Sequence, residues 1–377
     1  MDYATTTPVD PRVLKAMAPF WSADFGNPSS IHSLGVVAER AVLEAETDIA
    51  KVLRAHRDEI IFTSGGTEAN NLAIFGVVEA SRSRGVSYKK MHAITSVIEH
   101  SSVLECFREL ERRGVSVDYI PVSEEGIVDT EMIKEKIKKE TVLVSIMYAN
   151  NEIGTIQPIS KIAKLLRAFK NRPIFHIDAS QAPLYLDVTV EKLGVDLMTL
   201  DGHKIYGPKG VGVLFKKRGV SLRPILFGGG HAELRPGTKA VPLIVGMAEA
   251  LKIAATEREK ESKRLITIRD FLRKELVAVF PNVLLNGGSD NCLPNILNVS
   301  FPGVDTEFLT LQLSEAGIFV STKSACMRDE KDSYVIKALG SRGRKENISA
   351  SSIRFSLGRG TKESNIEILL KILKRSL

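Results

Sequence analysis

Short apolar runs alternate with helical segments through the first two-thirds of the chain, and this alternation constrains the fold more than any other feature. Glu59-Ile60-Ile61-Phe62-Thr63, His92 to Ser96, Val117 to Pro121, Thr141 to Tyr148, Pro173 to Ile177, Leu197 to Leu200 and Gly212 to Phe215 read as strands. Helices fit between them, for example Thr67 to Ala80 after Gly65-Gly66, and Ile159 to Phe169. Strands buried on both faces show nearly continuous apolar runs, as Leu143-Val144-Ser145-Ile146-Met147 does. The pattern predicts an α/β fold: a mainly parallel, seven-stranded sheet covered by helices.

The rhythm changes near residue 245. Ile244 to Leu276 reads as one long helix with a charged middle, Glu257 to Arg264. Strand-like runs follow at Ile296 to Phe301 and Gly317 to Ser321, then an amphipathic helix near Ser364 to Leu373. At 377 residues the chain is long for one domain. The expected division is a large domain at 14–250 and a smaller α+β domain formed by 1–13 and 251–377.

Bulk properties exclude several classes. The net charge of +7 comes from scattered Lys and Arg, and no basic motif is interleaved with aromatics, which argues against direct nucleic-acid binding. No apolar run is long enough to span a membrane, and Asp2, threonines and prolines near the start leave no signal-peptide core. Cys106, Cys292 and Cys326 lie far apart, without metal-ligand spacing or a disulfide framework, so no metal is expected. These features predict a cytoplasmic protein.

The chemistry concentrates at a few places. Lys204 stands in Asp201-Gly202-His203-Lys204-Ile205-Tyr206-Gly207-Pro208, after an apolar strand and before a turn. A desolvated lysine can form an imine. Asp178 ends another strand, where open α/β sheets place ligand groups, and could pair with a pyridine nitrogen. Ser64-Gly65-Gly66-Thr67, between strand and helix, can cradle a phosphate on backbone N–H groups. His100 follows the His92 strand and is placed to stack on a flat ring. Cys326 lies beside the polar stretch Arg328 to Asp332, where Lys323 and Arg328 favour a thiolate. Cys106 and Cys292 have apolar neighbours and read as structural. Arg354, on a strand-like run, can clamp a carboxylate bidentately. Amine, phosphate cradle, carboxylate and thiol are the parts of a pyridoxal 5'-phosphate (PLP) enzyme with a nucleophilic cysteine.

In order along nearly the whole chain, these segments resemble the cysteine desulfurases, PLP-dependent transferases of fold type I. The resemblance is carried by Ala4 to Pro8, Phe25 to His32, Ile61 to Glu68, Ile98 to His100, Ala149 to Thr155, His176 to Gln181 and His203 to Gly210. It continues through Gly228 to His231, Arg235 to Thr238, Ser324 to Cys326 and Ser352 to Arg359. It implies that Lys204 carries the cofactor, Cys326 forms a persulfide and His100 stacks and shuttles protons. Asp178 would pair with the ring nitrogen, and Gln181 and Asn150 would approach the ring hydroxyl. Gly66, Thr67 and His203 would hold the phosphate, with Thr238 donated by a second subunit, which implies a homodimer. Arg354 would clamp the carboxylate of L-cysteine, with Asn27 and His32 nearby. The sulfur would pass to an acceptor protein, an iron–sulfur scaffold or a tRNA-thiolation relay.

Departures from the family pattern leave other readings open. Asp201 stands in the phosphate set where the family usually has Ser, and is expected to turn away toward a basic partner. Lys323 replaces Gly before Ser-Ala-Cys. The alternatives are a selenocysteine lyase of the same family, another PLP enzyme such as an aminotransferase, and a non-catalytic sulfur-relay or scaffold-binding homologue.

Overall fold

The structure is a computed structural model, and it describes residues 1–229, 234–322, 332–340 and 348–377. Seven strands form the main sheet: β1 (Ile60–Thr63), β2 (His92–Ser96), β3 (Ser116–Ile120), β4 (Thr141–Ser145), β5 (Ile174–Asp178), β6 (Leu197–Asp201) and β7 (Gly212–Lys216). Their order is β1-β7-β6-β5-β4-β2-β3. The β3-β2-β4-β5-β6 pairings are all parallel, and β7 alone runs against its neighbours β6 and β1.

Alternate side chains of these strands enter two apolar layers, as the period of two requires. Val144, Met198, Leu200 and Val213 join one core, while Leu143, Leu197 and Leu214 join the other with the helices Gly66–Ser83 and Ser101–Arg112. Burying each such side chain contributes roughly 1.5–3 kcal/mol. A strand wrapped on both faces has no polar side, which is why the runs read as continuously apolar.

A second sheet holds β8 (Leu284–Asn286), β9 (Ile296–Ser300) and β10 (Ser352–Ser356) in antiparallel order β10-β9-β8. The long helix runs Val241–Val279, three residues beyond the expected limits at each end, with a proline in its first turn. The expected strand at Gly317 to Ser321 does not form. Gly317 takes φ 76 as the chain leaves the helix Thr306–Glu315, and only Ser321 pairs, as an isolated bridge to Arg354. Three-residue β8 is too short for a period to show. β4 also ends at Ser145 rather than Tyr148, although Ile146 and Tyr148 still donate to the carbonyls of His176 and Asp178.

The N-terminal stretch ties the two sheets together. Tyr3 donates to the Ser356 carbonyl and Ser356 to that of Met1, while Thr7 donates to the carbonyl of His203. Among the described residues, no helix is long and apolar enough to cross a membrane.

Candidate active site

The carboxyl ends of the parallel strands open into a cavity of about 560 Å³. Gly66, Thr67, His100, Asp178, Gln181, Asp201, His203, Lys204 and Arg354 all line it. Strand ends converge there because every crossover helix starts on that side, leaving backbone N–H groups and loop side chains facing one crevice.

Lys204 Nζ donates to the carbonyls of Ala4 at 2.8 Å and Thr5 at 2.7 Å. The loop carrying it is braced: Thr7 Oγ1 donates to the His203 carbonyl and accepts from the Tyr206 amide. Tyr206 holds φ 62, unusual for a bulky residue, with the Arg359 guanidinium 4.2 Å above its ring.

Asp178 ends β5 and accepts from three donors. Asn70 Nδ2 reaches Oδ2 at 2.8 Å, and the Ser180 amide and hydroxyl reach Oδ1 at 3.0 and 2.6 Å. Asn70 sits among the mostly apolar buried residues of the helix Gly66–Ser83 and is 1% exposed. Its partner Asp178 lies 108 residues away, so no local sequence pattern signals the contact. Gln181 Nε2 donates to the Ala4 carbonyl.

At the start of the same helix, Gly65 holds φ 153 and caps it without a side-chain hydrogen bond. A Cβ on Gly66 would lie 2.9 Å from Asp201 Oδ2 and 3.2 Å from Ser180 Oγ, so a side chain there would have to push those groups aside. Asp201 does not turn away, contrary to the expectation. Its Oδ2 accepts the Gly66 amide at 2.9 Å and lies 3.2 Å from His203 Nε2. The basic partner is found, but inside the cradle, because the orphan N–H at a helix start attracts the nearest carboxylate. Burial works to raise this acid, yet the His203 hydrogen bond and charge, the Gly66 amide and Lys204 outweigh it and hold it below the usual carboxylate range.

Three expected site residues stand outside the cavity within one chain. Asn27 and Thr238 line a separate hollow beside Trp21, and His32 caps the helix Ser33–Leu53, its Nδ1 accepting from the Gly35 amide. Asn150 also corrects the expectation. It is fully buried and occupied, Nδ2 donating to the Ile98 carbonyl and Oδ1 accepting from the amides of Glu152 and Ile153. Its neighbour Asn151 lines the cavity instead, with a buried Oδ1 that finds no hydrogen-bond partner among the described residues. Cys326 and Lys323 lie outside the described residues. Cys106 and Cys292 are free thiols that burial pushes up to about 12 and about 11.

Glu99, beside His100, is wholly buried. Its Oε1 accepts from Ser96 Oγ at 2.5 Å and the Met147 amide at 2.9 Å, and burial raises the acid to about 8. Among the described residues, no group of three or more His, Cys, Asp or Glu side chains is placed to hold a metal.

The residues present fit PLP: an amine on Lys204, an acceptor carboxylate on Asp178, and a helix start where glycine admits close approach of a phosphate. The misfit is Asp201, whose carboxylate already takes the Gly66 amide.

The aminotransferase class-V family matches residues 1–369. Cysteine desulfurase IscS of Dictyoglomus turgidum (strain DSM 6724 / Z-1310) is 43% identical over 377 residues, covering 100% of this chain and 93% of the relative. A solved NifS-like protein superposes with a TM-score of 0.91 at 36% identity, covering 99% of this chain and 97% of that one. A solved structure of SspA in complex with cysteine gives 0.80 at 35% identity, covering 94% and 97%. The chain therefore belongs to the class-V aminotransferases, PLP-dependent proteins of fold type I, and within them to the cysteine desulfurases.

Proposed function

We propose that the cavity takes L-cysteine and PLP and that Cys326 receives the sulfur for delivery to an acceptor protein. The observation that carries this is the convergence of the Lys204 amine, the Asp178 carboxylate and the Gly66 helix start on one cavity. When bound there, PLP supplies an electron sink for the substrate Cα.

The chain's own groups account for the rest. Arg354 binds the substrate carboxylate. Lys204 Nζ takes the Cα proton. Asp178, fixed by Asn70 and Ser180, is the anion facing the pyridine nitrogen. Thr67, Gly66 and His203 would hold the phosphate, and Gln181 and Asn151 would contribute polar groups to the cofactor from the same cavity. The Cys326 thiolate attacks the substrate sulfur, an S–S bond forming as the Cβ–S bond breaks. That electron pair stays with carbon, which is protonated to give alanine and leaves a persulfide on the enzyme.

A homodimer completes the reading. Asn27, His32 and Thr238 stand off the cavity of their own chain, so a second copy is their place of use. Trp21, Phe25, Ile31, Val36 and Phe227 are between 51% and 98% exposed, an apolar surface suited to that contact. The acceptor belongs to an iron–sulfur scaffold or tRNA-thiolation relay, in the cytoplasm. Residues 14–250 form the PLP domain, with 1–13 and 251–377 as the smaller one.

The test is turnover. Protein incubated with cysteine and PLP yields alanine and sulfide, and does so faster with cysteine than with selenocysteine. Cys326→Ser retains PLP but forms no persulfide. Sulfide released by Cys326→Ser at the parent rate refutes the thiol's role.

A further inference from the structure

Beside His100 runs a hydrogen-bonded chain whose direction is fixed from one end. Asp178 accepts at both oxygens, including from the obligate donor Ser180 N–H. As an acceptor it requires the NH2 end of Asn70, 2.8 Å from Oδ2, which settles the orientation of that amide. The same Nδ2 donates to Ser102 Oγ at 2.9 Å. Ser102 Oγ lies 2.9 Å from His100 Nδ1 and, with a proton of its own, is the donor there wherever Nδ1 accepts. The Ser102 backbone N–H, which can only donate, meets that nitrogen from 3.2 Å and so caps the helix Ser101–Arg112.

Both groups at Nδ1 are therefore donors, and Nδ1 must offer a lone pair. The ring proton then belongs on Nε2. Protonating the ring fully would set an N–H against an amide N–H and break the helix cap.

We propose that Asn70 and Ser102 are positioning residues that hold His100 as the neutral tautomer with its proton on Nε2. His100, which lines the cavity, then acts as a hydrogen-bond donor toward a bound ligand. Its polarity is set by the Asp178 carboxylate two residues away along the network. The catalytic consequence rests on the desulfurase reading, whereas the tautomer follows from the hydrogen bonds alone.

Long-range proton–nitrogen NMR correlation on holoprotein with ¹⁵N-labelled histidine tests it, with His100→Gln identifying the signals. At neutral pH, His100 Nδ1 resonates as an unprotonated nitrogen and Nε2 as a protonated one. Ser102→Ala removes one of the two donors at Nδ1, so a form protonated at Nδ1 appears, and kcat for cysteine falls about tenfold at unchanged KM, less than the roughly 100- to 10,000-fold of losing a positioned proton donor outright because His100 itself remains. Ser102→Thr restores both. A parent protein with Nδ1 protonated, or a Ser102→Ala variant unchanged in both readouts, overturns the proposal. The expected tautomer in a protein that releases no alanine from cysteine upholds it and refutes the desulfurase reading instead.

Discussion

Arg354 on β10 is ion-paired with Asp2 from the other end of the sequence, Nη2 to Oδ1 at 2.9 Å, with the arginine side chain 2% exposed. The same Nη2 donates to Thr5 Oγ1 at 2.7 Å, and Nη1 donates to the Asn151 carbonyl at 2.8 Å. Nε is buried with no partner among the described residues. These contacts use three of the five guanidinium N–H groups, so a substrate carboxylate proposed to bind here would take Nε, the second Nη1 hydrogen or the place of Asp2.

Arg354→Ala is expected to raise KM for cysteine with PLP still bound. Losing a charge-assisted pair costs about 2–3 kcal/mol, which corresponds to a KM increase of roughly 30- to 150-fold. Asp2→Asn has the opposite sign, a lower KM, because the competing anion is gone. Steady-state kinetics on the two variants check both, and an unchanged KM in Arg354→Ala rules out the clamp.

Lys204 is the only lysine whose amine is held by the N-terminal carbonyls of Ala4 and Thr5 among the described contacts. Borohydride treatment of the holoprotein followed by peptide mass analysis is expected to place the pyridoxyl group on Lys204. Label on Lys209, which also lines the cavity, contradicts the assignment.

A phosphate held at the Gly66 helix start would face the Asp201 carboxylate. Two unit charges about 4 Å apart repel by about 4 kcal/mol at an effective dielectric near 20. Asp201→Asn keeps the shape and removes the charge, so PLP is expected to bind at least tenfold more tightly on titration of the apo-protein. Asp201→Ser moves affinity the same way. Equal or weaker binding in both variants shows the carboxylate to be harmless or useful to the cofactor.

Glu99 gives a stability signature with an unusual sign. Burial raises its acid to about 8 in the folded protein, against about 4.3 for an unperturbed Glu. The folded state therefore holds a proton that the unfolded chain releases. The stabilisation is complete below the unfolded value and declines with rising pH until about 8, with a slope near 1.4 kcal/mol per pH unit. Glu99→Gln lacks this decline. Melting temperatures measured from pH 5 to 8 are expected to show the variant gaining on the parent as pH rises, and parallel curves mean that Glu99 ionises normally.

Neither described cysteine is expected to serve as nucleophile, because burial pushes Cys106 up to about 12 and Cys292 up to about 11, leaving little thiolate near neutrality. Cys106→Ala and Cys292→Ala are expected to retain persulfide formation, read by mass spectrometry after exposure to cysteine. Loss of the persulfide in either variant without loss of folding assigns the sulfur to that thiol.

The main sheet was legible because its strands are buried on both faces and carry their apolar character in consecutive residues. Lys204, His100 and Asp178 were legible because each follows a strand, and strand ends face the crevice in such a fold. Asn70 was not legible because its partner Asp178 is 108 residues away. No local pattern encodes such a contact. Ser102 escaped because its link to Asn70 joins two different helices. Asn150 was misplaced by one residue, since which of two adjacent asparagines faces a cavity depends on the turn that Asn150 itself braces. The strand expected at Gly317 to Ser321 failed because hydrophobicity alone does not supply a ladder partner.

The ion pair between Asp2 and Arg354 spans 352 residues, which bears on how the protein is made. On the ribosome Asp2 emerges well before its partner. At roughly 5–20 residues per second, tens of seconds separate the two. Lys204 depends on the same opening segment, through Ala4 and Thr5. The main sheet can form as its strands appear, but the finished pocket waits for β10. A nascent chain that stops before that strand lacks Arg354, and with it part of the cavity lining.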